Sequence, residues 1–193
     1  MIYKVYPLTS NLVKAKTSIN RLRVGGGGDA PEAVFAGVVA ACQKLKWRPN
    51  ARRMAVLVGD APPHGVGCPG DGFPRGCPSG ETMESTSAKA EEARVTLYAL
   101  GMSQQCEESF AYISRLTGGK FFRVEHGDDA MKQMQKILND EFGQLEFDRK
   151  VHDVWTITSA PSVETIAETI DATPLRVASS VCRLQSRGLL LSA

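Results

Sequence analysis

Two short acidic motifs carry the chemistry this sequence offers. Gly27-Gly28-Asp29-Ala30-Pro31-Glu32 sets two carboxylates at the entry to a helix, and Gly59-Asp60-Ala61-Pro62-Pro63-His64 sets a third where an apolar run ends. Carboxylate oxygens suit a hard divalent cation such as Mg²⁺, whose near-octahedral shell is usually completed by waters and a partner's carboxylate. Taken singly, Asp29 reads equally as a helix cap and Asp60 as a strand-to-turn residue. Taken together, with glycines that let backbone approach closely, they make Asp29, Glu32 and Asp60 a candidate metal set.

A second group lies in one loop: His64, Cys68 and Cys77, with Asp71 between the cysteines. Zinc at a structural site needs four ligands, and only Asp71 is near enough in sequence to be the fourth. A Cys68–Cys77 disulfide and two free thiols are the other readings, and in a reducing compartment both thiols are expected to be exposed and reactive. His64 follows two prolines and reads as a residue that orders the loop. The sequence contains no phosphate-binding loop, no GxSxG and no HExxH. The four glycines at Gly25–Gly28 lack a following Lys-Ser/Thr, and Asp29 beside them would repel a phosphate. The expectation is a protein that is not an enzyme.

The elements that must position these groups alternate between strand-like and helix-like stretches, the pattern of a mostly parallel sheet flanked by helices. Asn11–Val24 reads as a helix, with Leu12, Ala15, Ile19 and Leu22 at helical spacing. Asp29-Ala30-Pro31-Glu32 starts another, whose Val34, Val38, Ala41 and Leu45 face the sheet. Met54–Gly59 reads as a buried central strand. Ala61–Gly80 is too rich in glycine and proline for regular structure, and a loop of that length is usually functional or disordered. Helix follows over Glu81–Arg94, strand over Val95–Leu100, helix over Phe110–Leu116 and strand over Lys120–Val124. Asp128-Asp129 cap a helix whose Met131, Met134, Ile137 and Leu138 read as a core stripe. Gly143 marks the expected boundary, with three short helices over Leu145–Ala193.

GGGDAPEA, followed by VLVGDAPPHG, resembles the von Willebrand factor type A (VWA) domain, in particular the I-like branch of integrin β subunits. The resemblance runs from about Tyr3 to Leu138 and includes Tyr6-Pro7-Leu8-Thr9. It implies an α/β, Rossmann-like domain over 1–143 and a metal-ion-dependent adhesion site with Asp29, Glu32 and Asp60 as ligands to Mg²⁺. It also implies a protein partner bound through that face. Two departures stand out. The threonine common in the middle element is not obvious here, and the family's first motif, D-x-S-x-S, is absent. Two serines and an aspartate are thus expected upstream of Met1, and metal binding without them is expected to be weak.

Residues 145–193 carry a second pattern. Val163, Ile166, Ala167 and Ile170 make one amphipathic helix, Asp171-Ala172 a turn, and Thr173-Pro174 a strong helix start. The second helix turns Val177, Val181 and Leu184 inward. Arg176, Arg183 and Arg187 fall within an arc of roughly 40° on the other side, with Ser180 beside them. This resembles the helix-turn-helix of winged-helix regulators, cut short before the wing, and it implies DNA contact through those four residues. Contact with a protein is the competing reading, because Glu164, Glu168 and Asp171 cancel the arginines.

The bulk properties agree with either reading. The 193 residues carry 23 Lys and Arg against 21 Asp and Glu, so no overall charge draws the chain to nucleic acid or an anionic membrane. The apolar runs are too short to span a bilayer, and Met1–Val13 does not read as a signal peptide. A cytoplasmic protein without a membrane partner is the expectation.

Overall fold

The computed structural model describes residues 3–23, 28–158 and 161–190. Gly25–Gly27, the end of the first expected helix at Val24, and Leu191 lie outside them. The chain divides into two compact units, Met1–Trp47 with Arg53–Met131, and Arg48–Arg52 with Lys132–Ala193.

The first unit is α/β. Its elements are α1 (Leu12–Asn20), α2 (Val34–Gln43), β1 (Arg53–Gly59), α3 (Met83–Glu92), β2 (Val95–Gly101), α4 (Glu107–Leu116) and β3 (Phe121–Arg123). The strands form a parallel sheet in the order β1-β2-β3, with Arg53 opposite Val95 and Ala99 opposite Phe121. Every residue of β2 is buried, as a parallel strand covered on both faces requires. β1 pairs along one side only, and among the described residues it is a sheet edge. Helices cover the sheet because their apolar faces match it: Phe35, Ala36, Val38 and Cys42 from α2 and Ile113 from α4 cluster with Val95 and Leu97. By contrast α1 buries none of its residues. Leu12 and Ile19, which recur at helical spacing, stand exposed.

α5 (Gly127–Ile157) runs through Gly143 without a break, so no element ends there, and the two units divide at Met131 and Lys132 instead. A glycine inside a helix costs only about 1 kcal/mol. Buried Ile137 before it and Phe147 and Val151 after it outweigh that. The methionine stripe is corrected too: Ile137 is buried, whereas Met131 is 63% and Leu138 43% exposed. Polar Glu141 and Asp148, which the sequence reading did not single out, are buried along this helix.

The second unit is completed by α6 (Val163–Thr169) and α7 (Pro174–Ser186). Ser162 and Thr173 cap the two helices, and Ile166, Ala167, Val177, Val181 and Leu184 pack with Val151. The expected inward residues are thus inward. The expected outward arginines are not free. Arg183 Nη2 lies 2.6 Å from Asp148 Oδ1, and Arg187 Nη1 3.7 Å from Asp148 Oδ2. Ser180, fully buried, donates to the same carboxylate at 2.7 Å. Arg176 lies over the Phe147 ring at 4.0 Å. Burial lowers the Arg187 guanidinium against the pull of Asp148, with Arg52 and Arg183 adding to the effect. The segment Arg48–Arg52 joins this unit: Arg52 makes a two-pronged pair with buried Glu141 at 2.9 and 3.0 Å, and Arg187 Nε donates to the Asn50 carbonyl at 3.0 Å. No described helix is long and apolar enough to cross a membrane.

Asp148→Ala should therefore destabilise the second unit by about 3 kcal/mol, the scale for leaving a buried charge without its partner. The two tryptophans allow the units to be followed separately, since Trp155 packs in the second and Trp47 in the first. In a Trp47→Phe background, the urea transition of Trp155 fluorescence should move to lower denaturant. An unmoved transition would refute the role given to Asp148.

Candidate metal centre

The loop between β1 and α3 has no ladder to satisfy its backbone, so its polar groups must be met by side chains. Asp71 does most of this. Its Oδ1 accepts from the Phe73 N–H at 2.8 Å, a local turn typical of aspartate, and its Oδ2 from the Gly65 N–H at 2.7 Å. His64 Nδ1 sits 2.8 Å from Oδ1. Gly65 has φ +80°, and a Cβ there would stand 2.5 Å from the Gly76 Cα, so only glycine fits the approach.

A second tie joins this loop to the acidic turn before α2. The Glu32 N–H donates to the Pro62 carbonyl at 2.9 Å and the His64 N–H to the Glu32 carbonyl at 3.1 Å, forming a parallel bridge. Asp29 Oδ2 accepts from the Gly72 N–H at 2.7 Å and lies 3.6 Å from His64 Nδ1. The Phe73 ring meets His64 edge-on, with centroids 5.0 Å apart. The result is a group of three, Asp29, His64 and Asp71, whose ligand atoms lie within 4.8 Å of one another. This geometry could hold a metal ion. The Asp71 side chain is 1% exposed and that of His64 7%. Burial pushes the Asp71 carboxyl up, but hydrogen bonds from Gly65, His64 and Phe73, with the imidazole's charge, hold it below its ordinary value.

Of the residues expected from sequence, Asp29 belongs to this group, and Glu32 and Asp60 do not. Glu32 contributes its backbone, and its side chain and that of Asp60 are exposed. Asp60 acts on Cys106, whose thiol is raised by burial and by that carboxylate, against hydrogen bonds from Ser103 and the charge of Arg123. His64 was legible as a loop-ordering residue and Asp71 as a ligand of last resort. The signal for their union was the Gly-Asp-Gly turn at Gly70–Gly72. The cysteines take no part in the group. All five are free, and Cys77 is buried in the core, so the expected exposure of both loop thiols does not hold.

No family model matches the chain. Over 68 residues it is 41% identical to Alpha-protein kinase vwkA of Dictyostelium discoideum, a stretch of 34% of this chain and 11% of that protein. Over 63 residues it is also 41% identical to Integrin beta pat-3 of Caenorhabditis elegans, covering 31% of this chain and 8% of that one. The chain thus spans about a tenth of the length of the curated relatives it matches.

Asp71→Ala should release the Gly65 and Phe73 amides while leaving β2 intact. Their hydrogen exchange should quicken by about tenfold or more, the scale for losing a hydrogen bond to a charged acceptor. Unchanged exchange at both amides would show that the carboxylate does not hold the loop.

Proposed function

We propose that this chain is part of a VWA-type protein-binding module, in which a divalent cation held by the Asp29 turn and the β1–α3 loop assists contact with a partner. The observation that carries the reading is the convergence of Asp29, His64 and Asp71 at the end of a parallel sheet, in a chain similar over 63 residues to an integrin β subunit. The reading assigns binding and no catalytic turnover. The three residues fit a cation such as Zn²⁺ better than Mg²⁺, because an imidazole nitrogen suits borderline metals and Mg²⁺ prefers oxygen alone. The oxygen set of Asp29, Glu32 and Asp60 is the one that would suit Mg²⁺, and the two sets share Asp29. The second unit is assigned to protein contact as well: Arg183 and Arg187 are engaged by Asp148, while Leu175 of α7 stands 80% exposed.

Calorimetric titration with Zn²⁺ and Mg²⁺ tests the site. Binding is expected to be weak, about millimolar for Mg²⁺ with so few ligands, and Asp29→Ala should abolish it for both ions. Loss of Zn²⁺ but not Mg²⁺ binding in Asp71→Ala, and of Mg²⁺ but not Zn²⁺ binding in Asp60→Ala, would separate the two sets. Binding indifferent to Asp29 would remove the metal from the proposal.

A further inference from the structure

The N-terminal stretch of the first unit is charged unlike the rest of the chain. Residues 1–28 hold five basic residues, Lys4, Lys14, Lys16, Arg21 and Arg23, and no acid, whereas the remainder carries 18 basic residues against 21 acidic ones. None of Lys14, Lys16, Arg21 and Arg23 forms an ion pair among the described residues. The helix among them, α1, shows its apolar side to solvent. Its half-buried residues are the small Ala15, Thr17 and Ser18, whereas Leu12 is 76%, Val13 73% and Ile19 63% exposed. At about 100° per residue, Leu12, Val13, Lys16 and Ile19 share one arc of roughly 120°. A helix of nine residues is marginal in water without packing, and α1 buries none of its own.

The order of residues along that arc narrows what covers it. Leu12, Lys16 and Ile19 stand at i, i+4 and i+7, an apolar ridge with a cation at its middle. The complement is a carboxylate opposite Lys16 with apolar side chains to either side of it, the spacing that a second helix provides. The α1 helix of another copy would set cation against cation, because α1 holds no acid. A nucleic acid would answer the charge and leave Leu12, Val13 and Ile19 in water. An anionic bilayer would answer both, but helices that lie in its interface bring a larger apolar face than three aliphatic side chains without an aromatic one.

We infer that α1 docks against an acidic amphipathic helix of a protein partner, whose apolar side chains receive Leu12, Val13 and Ile19 while a carboxylate meets Lys16. The surface lies on a different element from the metal group and needs no metal. The test uses the whole chain, isotopically labelled and metal-free, titrated with a synthetic helix of leucine–glutamate heptads and, separately, with a scrambled peptide of the same composition. The heptad peptide should shift the Leu12–Asn20 amides saturably, with an affinity of about 100 μM for a contact of so few side chains. Paired Leu12→Ser and Ile19→Ser substitutions should weaken it at least about tenfold, and both positions are exposed enough to leave the fold unchanged. Lys16→Gln should weaken it about fivefold and flatten its dependence on salt. Equal shifts from the scrambled peptide, unchanged affinity in the variants, or no saturation would overturn the inference. So would tighter binding to phosphatidylserine vesicles than to the peptide, which would assign the face to lipid. Failure of the metal titration with peptide binding intact would overturn the metal reading alone.

Discussion

One carboxylate, that of Asp71, makes the loop between β1 and α3 a structure rather than a tether. Glycines and prolines forbid that segment a helix or a strand, so its backbone amides depend on acceptors that fold back from within it. Asp71 supplies two such acceptors and orients the His64 ring at the same time. With the ring fixed, Asp29 can close on Gly72 from 43 residues away, and the turn before α2 is held to the loop. The metal group follows from that one placement.

The same economy governs the second unit by different means. There Asp148 gathers Ser180, Arg183 and Arg187, and Glu141 takes Arg52. Buried ion pairs of this kind are weak contributors to net stability, yet losing one partner is expensive. They favour one arrangement of α5, α6 and α7 over the near-equivalent ones that apolar contacts alone would permit.

Where the sequence could be read well, period and punctuation agreed. The apolar run of β2 and the capped start of α7 each had one physical reading, whereas β1, read as a buried central strand, is half-buried and pairs on one side only among the described residues. Reading failed where a long-range partner decided the outcome. Gly143 looked like a stop because nothing local shows that Ile137 and Phe147 hold the helix on either side of it. Three arginines on one helical face looked solvated because Asp148 lies 35 residues before Arg183. Asp29 was identifiable as a ligand, but its companions were not, since a loop's fold-back leaves no period in the chain.

The placement of Arg48–Arg52 in the second unit bears on how the protein is made. Arg52 precedes its partner Glu141 by 89 residues, and Asn50 precedes Arg187 by 137. On a ribosome the N-terminal portion emerges and begins to fold first. The sheet can form early, but this short segment must wait for its partners until Glu141 and Arg187 have been synthesised. Closing so long a loop adds little to the thermodynamic cost, because that cost grows only with the logarithm of length. It does delay the event, since contacts between distant residues form late. The second unit therefore matures after the first, and the segment at Arg48–Arg52 stays open until that unit closes.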